Sequence, residues 1–150
     1  WKFLMSIMMT LEKVAFKKFN GLMELYILEC MGENLRKNLS NMMGKHYLLN
    51  LYGCSFVLLN DERCLIDLLE NAAVASGATV VQTISKKFDP QGVTVLCLLS
   101  ESHISIHTWP EDGKASVDVY TCGDCNPKIG CDIIIQQLFA TNHTLSYIER

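Results

Sequence analysis

The stretch VTVLCLLSESHISIHTWPEDGKASVDVYTC, Val93 to Cys122, packs three strand-like runs and two turns into 30 residues. VTVLCLL is a β-branched, apolar run, and HISIHTW and ASVDVYTC alternate. PEDGK between the last two reads as a hairpin loop, and Ser-Glu-Ser forms the turn ahead of HISIHTW. Period-two alternation puts Ile104 and Ile106 on one face of that strand and His103, Ser105 and His107 on the other. Upstream, ATVVQTISKKF is another β-branched run, joined to VTVLCLL through the proline–glycine turn DPQG, so the two read as a hairpin.

Further out, KHYLLNLYG (Lys45–Gly53) is rich in strand formers and stops at glycine. In DERCLIDLLENAAVASG, Leu65, Leu68, Leu69, Ala72, Ala73 and Ala75 make one helical stripe, with Asn60 or Asp61 as cap and Gly77 as stop. NPKIGCDIIIQQLFATN opens a second helix with Asn126 as N-cap and Pro127 at the first helical position, where its missing N–H costs nothing. HTLSYIE closes the chain as an alternating strand. The order is β-α-β-β followed by β-β-α-β. It predicts an α+β two-layer sandwich, an antiparallel sheet with both helices on one face. The uncovered sheet face predicts a homodimer that pairs through the sheet.

The chain is 49% hydrophobic and 19% charged over 150 residues, enough for one domain with a real core. No apolar run approaches the roughly 18 residues of a membrane span, so no membrane is expected. All seven methionines lie at or before Met43. Residues 1–42 carry net +2 against −3 for the whole, leaving −5 for the remainder, and an acidic domain argues against nucleic acid as partner. Residues 1–42 read as an N-terminal extension and 43–150 as the functional domain, with an internal start available at Met42 or Met43. The opening WKFLMSIMMTLEKVAF has a short apolar run but no small-residue cleavage site. Seven cysteines, an odd number, with Cys64 and Cys97 inside apolar patterns, point to reduced thiols and a cytoplasmic protein.

Most familiar chemistry is missing. CGDC, with Cys131 nearby, has no second Cys/His pair at ligand spacing, so no metal centre is expected. A redox dithiol needs CxxC at a helix start, and Cys125 does immediately precede the Asn126 cap. No glycine-rich phosphate loop is present, and Ser102 lacks the G-x-S-x-G elbow of a hydrolase. On spacing alone, His103, Ser105 and His107 form a solvated strand face.

The residues themselves say more. LLSESHISIHTWPEDGKASVDVYTCGD resembles the processing-site region of the bacterial and archaeal S-adenosylmethionine decarboxylases, with its Ser-Glu-Ser-His-x-x-x-His-x-x-Trp-Pro-Glu followed by Thr-Cys-Gly. The resemblance extends to GKHYLLNLYGC, SGATVV and FDPQGVT and spans residues 43–150. It implies a proenzyme that makes its own pyruvoyl cofactor. Ser102 attacks the Glu101 carbonyl, the peptide becomes an ester, and elimination leaves a β chain ending at Glu101 and an α chain opening with pyruvoyl at position 102. That group forms a Schiff base with the substrate amine and accepts the electrons released with carbon dioxide.

The resemblance also implies individual roles. His107 assists the elimination, a base task suited to imidazole. Cys122 returns a proton to the substrate carbon. Phe88 contacts the substrate, where its π face suits a sulfonium, and Glu111 holds ribose hydroxyls. Thr94 supports processing where the family has a serine, and Val95 is bulkier than the usual neighbour. The implied reaction is decarboxylation of S-adenosylmethionine to the aminopropyl donor of spermidine synthesis, by a homodimer of cleaved protomers. Decarboxylation of arginine or ornithine by the same machinery, or an uncleaved regulatory homologue, are the alternatives. Phe88 with Glu111 favours the nucleoside, and retention of Ser102, His107 and Cys122 argues against the regulatory role.

Overall fold

The computed structural model describes residues 31–33 and 43–150. The boundary expected at residue 42 and the extension before it lie almost wholly outside the described residues. Alternating runs become strands β1 (Lys45–Tyr52), β2 (Val80–Lys87), β3 (Val93–Leu99), β4 (Ser102–Trp109), β5 (Lys114–Thr121) and β6 (Asn142–Glu149). The two helical stripes become α2 (Glu62–Ala75) and α3 (Pro127–Gln137). A single extra turn, α1 (Phe56–Leu59), precedes α2, and a 3-10 turn at Pro110–Asp112 links β4 to β5. The α+β order read from the sequence holds, with α1 added to it.

The sheet runs β2-β3-β4-β5-β1-β6, and every neighbouring pair is antiparallel. The two hairpins therefore fuse: β3 also pairs with β4, Leu99 opposite Ser102, across the two-residue turn Ser100–Glu101. β1 is inserted between β5 and β6, with Tyr47 facing Val119 on one side and Tyr147 on the other.

Both helices cover one face, α2 over β2–β4 and α3 over β1 and β5. Leu49, Leu51, Val95, Cys97, Ile104, Ile106, Val117 and Val119 meet Leu65, Leu69, Ala72, Ile134 and Leu138 in a closed core. Each of the fully buried leucines and isoleucines contributes about 2–3 kcal/mol by leaving water. Asp61 caps α2, its side chain accepting from the Cys64 N–H at 3.0 Å. Two expectations need correction. Ala75 is exposed, and Ser76, one turn after Ala72, is buried instead with its hydroxyl donating to the Ala72 carbonyl at 2.8 Å. Asn126 occupies the N-cap of α3 without a capping side-chain bond; its N–H instead donates to Ser76 O at 2.9 Å, tying the two helices together. The helices cross at Gly130, where a Cβ would stand 2.7 Å from Ser76 Oγ and 3.1 Å from Ala72 O.

Among the described residues, no helix covers the opposite face. It carries Ile84, Leu96, Leu98 and Trp109, all more than a third exposed. Among them run polar contacts: His46 Nε2 to Asp118 Oδ1 at 3.2 Å, Ser105 to Asp118, and Ser116 to Asn50. No helix among the described residues is long and apolar enough to cross a membrane.

Candidate active site

The β3–β4 turn is fixed from two sides. The Thr79 N–H donates to Glu101 Oε2 at 2.9 Å, and Ser100 N–H donates to Thr79 O at 2.9 Å. The Glu101 carbonyl oxygen then receives two donors from one residue, the Cys122 N–H at 3.1 Å and the Cys122 Sγ–H at 3.1 Å. Two convergent donors on a single peptide carbonyl are what an oxyanion formed there would need. The next residue, Ser102, has φ +151°, a region L-residues avoid. Such a conformation costs about 1–3 kcal/mol and persists only where the surroundings impose it. Here the strained residue is the one that follows the bond expected to break.

Cys122 reaches the carbonyl because its loop is clamped. Lys45 Nζ donates to Gly123 O at 3.2 Å and to Cys125 O at 2.9 Å, while Gly123 takes φ +70°, which its missing side chain permits. Cys125 Sγ–H donates to Gly77 O. Burial, then Glu101, push its thiol above the ordinary range, which is the reverse of the depressed pKa a redox CxxC requires. Cys131 lies fully buried in α3, its thiol pushed up to about 12 by burial, and packs as an apolar side chain. One further polar atom belongs to this end: Thr121 Oγ1, directly across from Ser102 in the β4–β5 register, is fully buried without a hydrogen-bond partner among the described residues.

The remaining predicted residues sit elsewhere. His107 Nδ1 lies 2.9 Å from Thr94 Oγ1, paired across β3–β4, and both line a cleft of about 290 Å³ with Ile84, Lys86, Leu96 and Ser105. Phe88, half exposed just beyond β2, and Glu111, exposed in the 3-10 turn, share that end of the sheet. Five residues of strand separate His107 from Ser102, about 16 Å. Glu101, Ser102 and Cys122 thus form one group, and Phe88, Thr94, His107 and Glu111 another. Val95, the bulkier neighbour of Thr94, points into the core and is fully buried, so it does not narrow the cleft.

What lies against Ser102 in this chain is His103, with Nδ1 3.3 Å from the hydroxyl oxygen. Adjacency in sequence was the only available signal, and strand alternation argues against it, since neighbours normally face opposite ways. The unusual φ of Ser102 overrides that rule. Lys45, Thr79 and Thr121 also escape a reading by motif, because their proximity arises from long-range strand register and loop contacts.

Residues 45–150 match the family described as S-adenosylmethionine decarboxylase. The chain is 51% identical over 110 residues to the S-adenosylmethionine decarboxylase proenzyme of Prochlorococcus marinus (strain MIT 9313), covering 73% of this chain and 88% of that protein. It is 45% identical over 111 residues to the proenzyme of the same name from Caldanaerobacter subterraneus subsp. tengcongensis, covering 73% of this chain and 90% of that protein. The crystal structure of the adenosylmethionine decarboxylase from Aquifex aeolicus VF5 superposes with a TM-score of 0.69 at 40% identity, covering 73% of this chain and 91% of that one. From Lys45 to Arg150, by sequence and by fold, the chain belongs to the S-adenosylmethionine decarboxylase family.

Proposed function

We propose that the chain is a self-processing, pyruvoyl-dependent S-adenosylmethionine decarboxylase that works as a homodimer of cleaved protomers in a reducing cytoplasm. One observation carries the reading: the Glu101 carbonyl is held by both donors of Cys122 while the adjoining Ser102 is held at φ +151°.

Attack of Ser102 Oγ on the Glu101 carbon forms a C–O bond and places negative charge on the oxygen that Cys122 already contacts. A backbone N–H so placed is worth about 10²–10³ in rate when charge develops on the oxygen, and the weaker thiol donor less. Breaking the C–N bond gives the ester, frees the Ser102 nitrogen, and releases the strained backbone. A base then takes the Ser102 Cα proton, Glu101 leaves as a carboxylate, and water displaces ammonia to leave the pyruvoyl group. The surroundings fit that group: Cys122 stands beside the position, and Thr121, paired with it in register, keeps a buried Oγ1 that has no hydrogen-bond partner among the described residues. The pyruvoyl carbonyl supplies an electron sink for decarboxylation. Cys122, no longer bonded to a peptide carbonyl, is then placed to deliver its proton to the substrate carbon.

His107, Thr94, Phe88 and Glu111 complete this site only if a second copy brings them. An isologous dimer through the uncovered sheet face answers that need. Its two-fold axis sets the His107 end of one protomer against the Ser102 end of its partner, twice. Exposed Leu96, Leu98 and Trp109 would form the apolar part of that contact. The domain follows as residues 43–150, with 1–42 as an extension outside it.

Denaturing mass spectrometry tests the processing: two fragments split between Glu101 and Ser102, the smaller blocked by pyruvoyl, are expected, and a chain that stays intact after long incubation refutes it. Release of labelled carbon dioxide from S-adenosylmethionine, and not from arginine or ornithine in parallel assays, tests the substrate.

A further inference from the structure

We propose that His103 is the general base that removes the Ser102 hydroxyl proton in the first, ester-forming step of self-processing. The inference rests on the processing reading above and assigns a step that His107 cannot serve within the same protomer.

The chain contains four histidines. His107 is turned to Thr94 at the far end of β4, His46 Nε2 is engaged by Asp118, and His143 lies on β6 opposite Leu51, at the sheet edge. Within one protomer only His103 reaches the nucleophile, Nδ1 to Oγ 3.3 Å. A general base must stand within hydrogen-bond reach of the proton it takes. With its proton on Nε2, the His103 ring presents the Nδ1 lone pair to the hydroxyl.

The surroundings keep that lone pair available. The ring is packed edge-on against His46 at 6.4 Å and Tyr120 at 5.8 Å between ring centres, with Leu98 of β3 opposite it in register. Burial first, then the neighbouring His46 and Arg150, hold its pKa below the ordinary value of 6.5, while Asp118 pulls the other way. The imidazole is therefore neutral near pH 7, and Asp118 is the one nearby group that favours the imidazolium once it forms.

The step balances without a co-reactant. The Ser102 Oγ–H bond breaks as Oγ bonds to the Glu101 carbon, and the proton moves to His103 Nδ1. The carbonyl electron pair becomes the oxyanion beneath Cys122. As the C–N bond breaks, the imidazolium returns the proton to the Ser102 nitrogen, giving ester and free amine.

The test follows newly synthesised chain, made in a cell-free system, in saturating hydroxylamine. Hydroxylamine cleaves each ester as it forms, so total cleavage reports the first step and is indifferent to the later elimination. His103→Phe keeps the ring packing and His103→Gln keeps a polar side chain, and neither is a base. Both are expected to cleave about 10²-fold or more slowly than the parent. Added imidazole should restore part of the rate in His103→Ala. Cleavage of either the Phe or the Gln variant within about threefold of the parent overturns the assignment. The parent chain gives an answer independent of any folding defect: its first-step rate should fall on acidification with a midpoint below 6.5. A rate constant across about pH 5–8 overturns the proposal as well. A parent that never cleaves refutes the processing reading instead.

Discussion

Replacing Cys122 with alanine removes one of the two donors on the Glu101 carbonyl and leaves the other, the Cys122 backbone N–H, in place. A thiol is a weak donor, so its loss is less severe than that of a full oxyanion-hole N–H. Allowing for the charge that develops on the oxygen, its share of the transition state is about 1–2 kcal/mol, or about five- to thirtyfold in rate. Cleavage should slow by that factor and still reach completion. Turnover should suffer more, because a general acid contributes about 10²–10⁴, and the methyl group has no proton to give. The two effects separate in two assays on one preparation: the time course of fragment appearance by denaturing mass spectrometry, and carbon dioxide release per cleaved chain. Cys122→Ser separates them further. Its hydroxyl restores donation to the carbonyl and so most of the cleavage rate, yet with a far higher pKa it remains a poor proton donor. Unchanged turnover per cleaved chain in Cys122→Ala would refute the proton-donor role. Unchanged cleavage would show that the 3.1 Å contact does nothing for the transition state.

Ser102→Ala and Ser102→Gly should both abolish cleavage, but only glycine relieves the φ of +151°. The glycine variant should be more stable than the alanine variant by about 1 kcal/mol in urea unfolding, and equal midpoints would mean the backbone is unstrained. Co-expressed Ser102→Ala and His107→Ala chains should complement each other. The His107→Ala chain, supplied with the partner's imidazole, is the one expected to be cleaved, and no cleavage in either chain would deny a shared site. Gly130→Val drives a side chain into Ala72 of α2 and into Ser76 at its C-cap and should lower stability by about 1–3 kcal/mol, read from thermal melts. Because His103 has a lower pKa folded than unfolded, its unfolded form takes up protons first as pH falls. Stability should therefore decline below the ordinary value of 6.5, towards the depressed folded value, and His103→Phe should flatten that decline.

Strands and long helices were legible because burial on one face imposes a period, and period two at Ile104–Ile106 or the stripe Leu65–Leu69–Ala72 survives any detail of packing. The single turn α1 was not, since four residues hold too little period to separate a helix from a loop. Asn126 misleads for a related reason: composition marks the cap position, but the α3 start is satisfied by contact with Ser76, which lies 50 residues away. At the site, residue types were readable from motif while their grouping was not. The SESHISIH run looks like one constellation, yet extended strand draws Ser102 and His107 apart, and only register across β3–β5 reveals that Cys122 belongs with the former and Thr94 with the latter. The pairing of Ser102 with His103 depends on one abnormal dihedral angle, for which no residue type is a marker.

The position of β1 bears on what happens after the peptide is cut. The fragment ending at Glu101 would hold β1, α1, α2, β2 and β3, and the fragment beginning at position 102 would hold β4, β5, α3 and β6. Three strand pairings cross between them, β3 with β4, β1 with β5, and β1 with β6. The N-terminal fragment is thus threaded through the C-terminal one like a finger between two others, and α2 and α3 lock from above at Gly130. Scission would change the covalent count without creating a separable subunit: dissociation would require unzipping three seams of one sheet and opening a shared core, which is the same event as unfolding.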